Sequence, residues 1–175
     1  MADWRILPTD AAAQVAKPEN LALSRRVHAA AVTWVGEAHK LDPAAPTVVI
    51  SCEVREHTEI DVVANGADTL GGCLAQRGMV VSELRLPLAP STADIAAALV
   101  RVEAAEQVVC VSYNAVLKPE QQALLAALPA EKTWLVAGRL PYDLGLLPSA
   151  RARLTDFSNR PAALSALADA LLPMQ

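Results

Sequence analysis

The order of apolar and polar positions along this chain predicts strands and helices in alternation. Three short runs are apolar almost throughout: Thr47 to Ser51, with Val48, Val49 and Ile50 in succession, then Val108 to Tyr113, then Trp134 to Ala137. A strand without a polar side leaves no face for water, so these three are expected at the centre of a sheet covered on both faces. The run from Met79 to Leu86 differs in its latter half, where Ser82, Glu83 and Arg85 are polar while Leu84 and Leu86 are apolar. One side of that run can be wet, as at a sheet edge. A fifth run, Leu154 to Phe157, is short, follows a stretch broken by Pro148, and is also expected at or near an edge.

The segments between these runs carry helical spacing. Ser91 and Asp94 form a capping-box-like start, after which Ile95, Ala98, Leu99 and Val102 recur on one face. Pro119 stands where a first helical residue lacks a use for its N–H, and Leu124, Leu125 and Leu128 supply the buried side. Pro161 repeats the device ahead of Leu164, Leu167, Ala168 and Leu171. From Thr58 to Gly78, interrupted by Gly66, Gly71 and Gly72, a helix is expected in the second half, ending at Gly78. Strands joined by helices give a parallel sheet. With the second run at one edge and the fifth at the other, the fold class is α/β: a three-layer sandwich around a mostly parallel five-stranded sheet in the flavodoxin-like order 2-1-3-4-5. Residues 1–46 read as a lead-in arm with one helix, in which Leu23, Val27, Ala30, Ala31 and Trp34 follow helical spacing. Residues 47–175 read as a single globular α/β unit.

Composition narrows the function classes. With 53% hydrophobic and 19% charged residues the chain is expected to fold rather than remain disordered. A net charge of −4 and no run of lysine and arginine argue against a nucleic-acid partner. The start MADWRILPTD lacks signal-peptide character and no apolar run reaches membrane-span length, so no membrane partner and a cytoplasmic location are expected. Cys52, Cys73 and Cys110 are odd in number and widely spaced, and are expected to be reduced thiols.

Beyond these patterns, three stretches carry a resemblance: VVCVSYNAVLKPEQQALLAAL, KTWLVAGRLPYDLGLLP and LTDFSNRPAALSALADALL. A strand ending in Tyr113-Asn114, a second strand leading into the turn Arg139-Leu140-Pro141-Tyr142-Asp143-Leu144, and a helix entered through Ser158-Asn159-Arg160-Pro161 are similar to the C-terminal domain of family 3 glycoside hydrolases, in the bacterial β-N-acetylhexosaminidase branch. Leu140 replaces the polar residue expected before the proline. The family places a short strand where Ala31 to Val35 stands, in conflict with the helical spacing read there. The resemblance implies a non-catalytic accessory domain, because the family cleaves sugars on an N-terminal barrel whose lysine, histidine, phenylalanine, proline, glycine, histidine, glycine neighbourhood has no counterpart here. A glycosidase needs two groups flanking one bond, so the chain alone is expected to be inactive. The partners it implies are a glycosidase barrel domain or a second copy, with carbohydrate as a further ligand.

A second reading is a stand-alone small-molecule or carbohydrate-binding domain. In the expected topology the crevice lies beyond the carboxyl ends of the first and third strands, lined by Ser51, Cys52, Glu53, Ser112, Tyr113 and Asn114, with Gly138 and Arg139 alongside. The candidate ligand or partner contacts are Ser51, Asn114, Arg139, Tyr142 and Asp143. For the last three the structural alternative is that Pro141 sets a turn, Asp143 caps a short helix and Tyr142 packs sideways. The arginines Arg139, Arg151, Arg153 and Arg160 are a candidate docking face or ordinary surface. No catalytic residue is assigned: neither VISCEVR nor VVCVSYN offers the glycines of a nucleophile elbow around Cys52 or Cys110. The cluster Glu53, Glu56, His57 and Glu59 lacks a second histidine and reads as a solvated loop, so no metal is expected. No cofactor is expected either, since CEVREHTE after the first strand is acidic where a flavin phosphate would need glycine, serine and threonine.

Overall fold

Apolar residues on both sides of the central strands fix a layered architecture. The computed structural model describes residues 17–53 and 66–173. Its strands are β1 (Thr33–Trp34), β2 (Thr47–Glu53), β3 (Val81–Pro87), β4 (Gln107–Ser112), β5 (Thr133–Ala137) and β6 (Ala152–Thr155). Among the described residues the α-helices are α1 (Pro18–Ala31), α2 (Leu70–Gln76), α3 (Thr92–Ala104), α4 (Pro119–Ala127) and α5 (Pro161–Leu171). The sheet runs β1-β6-β5-β4-β2-β3, with β2 to β6 parallel and β1 antiparallel to β6.

Side chains alternate between two cores. On one face Ile50, Cys52, Val108, Cys110 and Leu135 pack with Ala98 and Val102 of α3 and with Leu124 and Leu125 of α4. On the other Val49, Val109, Val111, Val136 and Leu154 pack with Leu70, Cys73 and Leu74 of α2 and with Leu164, Leu167 and Leu171 of α5. The result is three layers, helices, sheet, helices. All residues of β4 and β5 are buried, as continuously apolar runs require. Only one of the seven residues of β3 is buried, consistent with its place at the edge.

The observed sheet differs from the expected five-stranded parallel sheet in order 2-1-3-4-5. It has a sixth strand, antiparallel and only two residues long, and this strand, not Leu154 to Phe157, takes the edge opposite β3. Trp34 therefore leaves the helical stripe: α1 ends at Ala31, and the strand over Thr33–Trp34 pairs with Leu154 and Thr155. The rest of that stripe is not buried either. Leu23 is 50% and Val27 56% exposed, no residue of α1 is buried, and the helix lies chiefly against α5. The last strand stops at Thr155 because Phe157 takes a positive φ of 59°, which ends strand geometry.

Residues after β1 are sewn to the sheet. Leu41 is buried, its N–H donates to Leu171 O at 2.8 Å, and the Trp134 indole donates to His39 O at 2.6 Å. Gln107 Nε2 donates to Asp42 O at 2.9 Å and to Thr47 Oγ1 at 3.1 Å while its Oε1 accepts from Asp42 N. The start of α3 is a full capping box, with Ser91 Oγ accepting from Asp94 N and Asp94 Oδ2 accepting from Ser91 N.

Candidate functional site

The carboxyl ends of β4, β5 and β6 lie side by side, since Ser112 pairs with Ala137 and Ala137 with Thr155. The loops that follow hold most of the candidate residues. Asp143, on the 3₁₀ turn Pro141–Gly145, has no exposure to solvent. Its carboxylate accepts from Ser112 Oγ at 2.7 Å and from Val116 N at 3.0 Å. It thus caps a neighbouring turn, Ala115–Leu117, and not its own. Two charge-assisted bonds onto a buried carboxylate make a strong clamp between the loops after β4 and β5. They also occupy both oxygens, so Asp143 is not placed to give or take a proton from a substrate.

Tyr113 is buried, and its backbone N–H donates to Gln121 Oε1 at 3.0 Å. Arg139 donates to the Tyr113 hydroxyl, and its guanidinium carbon lies 5.4 Å from the ring centroid. The arginine is therefore committed to a protein contact that combines a hydrogen bond with cation–π attraction. Asn114 takes the left-handed conformation (φ 54°, ψ 42°), which asparagine tolerates better than most residues. Its Oδ1 is buried with no hydrogen-bond partner among the described residues. Gly138 is required by close approach: a Cβ there would stand 2.9 Å from Ser112 O, which also accepts the Gly138 N–H.

Other candidates separate from this edge. Ser51 is 2% exposed inside the sheet, so it does not line an open crevice. Cys52 is also buried, and burial, with the charge of Glu53, pushes its thiol up to about 12. Burial lifts Cys110 well above the ordinary range and raises Cys73 as well. A thiol is a nucleophile only as the thiolate, so none of the three is poised for catalysis near neutral pH. Glu53 pairs with Arg85, Nη2 to Oε2 at 2.5 Å; Glu56, His57 and Glu59 lie outside the described residues. Of the arginine group, Arg153 Nη1 donates to Leu144 O at 3.3 Å, so it serves the turn. Tyr142 does not pack sideways: it is 71% exposed.

One pair was not foreseen. Asp156, just past β6, is buried, and both its oxygens lie by His28 Nδ1 of α1, at 3.0 and 3.2 Å. The two residues are 128 positions apart, and nothing in the local pattern around either one marks the contact.

Three parallel strand ends, two interlocked turns and a buried clamp define a three-layer α/β domain with a shaped carboxyl edge. Among solved structures it is similar to a glycoside hydrolase family 3 β-N-acetylglucosaminidase from Paenibacillus sp. str. FPU-7, with 30% identity and a TM-score of 0.79, over 98% of this chain and 33% of that one. The β-N-acetylglucosaminidase from Thermotoga maritima (16% identity, TM-score 0.61, 88% of this chain and 32% of that one) shares the fold. So does the β-glucosidase from Listeria innocua in complex with isofagomine (14%, 0.69, 95% and 27%). No family model and no curated protein matches the chain. The chain thus resembles the C-terminal domain of family 3 glycoside hydrolases over nearly its whole length, and it spans about a third of the solved enzymes it matches.

Proposed function

We propose that this chain is a non-catalytic domain of a family 3 glycoside hydrolase system, acting on β-linked N-acetylglucosamine or glucose residues only together with a catalytic domain. The observation that carries this reading is the pair of coverages, 98% of this chain against 33% of the Paenibacillus enzyme. The side chains support it. Asp143 is enclosed and doubly bonded, Arg139 is held on Tyr113, and Cys52 is protonated near neutral pH. Glycoside hydrolysis needs two carboxyl groups facing one bond across a gap of about 5 to 10 Å, and Asp143 is sealed from any such bond. Three free, buried thiols accord with a reducing compartment, so the proposed location is the cytoplasm. No helix among the described residues is long and apolar enough to cross a membrane.

The test is hydrolysis of 4-nitrophenyl β-N-acetylglucosaminide by the purified chain, alone and mixed with a separately produced family 3 catalytic domain. No turnover above background by the chain alone is expected. Release of nitrophenol at an enzyme-like rate by the chain alone would overturn the reading.

A further inference from the structure

β3 is a seven-residue strand at one edge of the sheet, and among the described residues it pairs only with β2. We infer that this edge is the interface between two copies of the chain, which join β3 to β3 in antiparallel register about Leu84 and pack α3 against α3 above it. The pairing is independent of any catalytic partner.

The backbone of β3 offers the bonds. Thr47 lies opposite Val81, and its N–H donates to Val80 O at 3.4 Å. In a parallel ladder a residue bonds to both neighbours of the one it faces, so Val80, Ser82, Leu84 and Leu86 turn their backbone groups to β2. Val81, Glu83 and Arg85 turn theirs outward, where a further strand can use them. Edges meant to stay single are blunted by lysine, proline or brevity. β3 has no lysine, and its one proline, Pro87, is its last residue. The opposite edge, by contrast, is closed by β1, only two residues long.

Symmetry identifies the occupant. Glu83 and Arg85 flank Leu84, so a two-fold axis at Leu84 sets Glu83 of each copy opposite Arg85 of the other, and the charges attract. The same axis sets Val81 opposite Pro87, which there contributes only its carbonyl. On α3, Arg101 Nη2 donates to Ser82 Oγ at 2.9 Å, so the Arg101 side of the helix leans over the edge. One and two turns back along that side stand Ala97, which is exposed, and Asp94. A helix meeting its copy antiparallel at Ala97 brings Asp94 of each against Arg101 of the other. Ser82 precedes Leu84 by two strand residues and Arg101 follows Ala97 by four helical ones, about 6 Å in either case, so the two axes coincide. The spacing agrees as well. α3 shares a core with Ile50 and Cys52 of β2 and with Leu84 and Leu86 of β3. A helix centred over two strands then lies about 10 Å from its copy, within the range of packed helices.

The amino end of β3 adds an apolar surface. A groove of about 420 Å³ there is lined by Val48, Val80, Val81, Val100 and Ala104, with Val80 72% and Val100 69% exposed. In the antiparallel register Leu88 of the second copy follows Pro87 alongside Val80 and covers this groove.

The test is the oligomeric state of the full chain. Sedimentation velocity should give a dimer mass at about 100 μM, where interfaces of even modest area associate. Raising the concentration from about 1 to about 100 μM should slow amide exchange at Val81, Glu83 and Arg85. Ala97→Glu, which sets two carboxylates at the axis, should weaken dimerisation by about ten-fold or more, while Leu23→Glu on α1 should leave it unchanged. The urea midpoint of Ala97→Glu at the lower concentration should match that of the unaltered chain. Ala97→Cys should form a disulfide-linked dimer on oxidation, since facing Cα atoms of helices about 10 Å apart lie about 5 Å from each other. Leu23→Cys should not. A monomer at about 100 μM overturns the proposal. So does a dimer whose strength Ala97→Glu leaves unchanged, or one that Leu23→Cys locks as readily as Ala97→Cys.

Discussion

At the scale of single residues, Asp143 shows how burial changes the meaning of an acidic side chain. In the sequence it belongs to a turn rich in recognition chemistry; in the fold it is a clamp with Ser112 Oγ and Val116 N. Asp143→Ala takes the acceptor from Val116 N and leaves Ser112 Oγ only its long contact to Val136 O at 3.5 Å, and a loss of about 2 kcal/mol in urea unfolding is expected, with Asp143→Asn intermediate because its amide retains one acceptor. Cys52 gives a pH prediction. Its thiol rises on folding from 9.0 to about 12, so below pH 9 both states keep the proton and the thiol adds no pH dependence. Between about 9 and about 12 the unfolded chain releases the proton first. Stability should therefore fall as pH rises through that window, and Cys52→Ala should flatten part of the slope, measured by urea midpoints from pH 8 to 11. The same protonation predicts that iodoacetamide labels Cys52 only after unfolding.

At the scale of elements, short-range signals were legible and short strands were not. The capping box at Ser91, the prolines opening α4 and α5, and the continuously apolar strands all follow from contacts within a few residues. β1 carried no such signal: two residues cannot display a period, and Trp34 fits a helical stripe equally well on spacing alone. Helix α2 illustrates a limit of another kind. Its glycines lower helix propensity, yet Gly71 makes room for Glu83 on β3, since a Cβ there would stand 2.7 Å from Glu83 Cδ and 3.1 Å from its Cβ, so the glutamate would have to shift. Glu83 Oε2 in turn accepts from Thr69 Oγ1, the residue that caps α2. Gly71→Ala should destabilise by about 1 to 2 kcal/mol through overpacking. The double variant Gly71→Ala, Glu83→Ala should recover part of that loss in a double-mutant cycle.

At the scale of the molecule, the pair His28–Asp156 joins α1 to the segment that follows β6. Because α1 buries no side chain of its own and lies chiefly against α5, this contact is a second point of attachment. His28→Ala strands a buried carboxylate, which favours opening over closure. Amide exchange across Pro18–Ala31 should accelerate by about ten-fold or more in that variant, while exchange in β4 and β5 should change little. Equal protection in both proteins would show that the α1–α5 contact alone seats the helix.

By itself the sequence determined the α/β class, the five parallel strands, their helices and caps, and the resemblance carried by the Arg139 to Leu144 turn. These depend on local periodicity and on residue types whose backbone demands are local. Only the tertiary structure decided that the short strand, which the resemblance placed at Ala31 to Val35 and the helical spacing opposed, forms over Thr33–Trp34 and closes one edge, that Ser51 and Asp143 are sealed, that Tyr142 and Phe157 are exposed, and that His28 meets Asp156. Each of those outcomes depends on which distant segments exclude water from one another, a property of the packed layers that no stretch of chain carries alone.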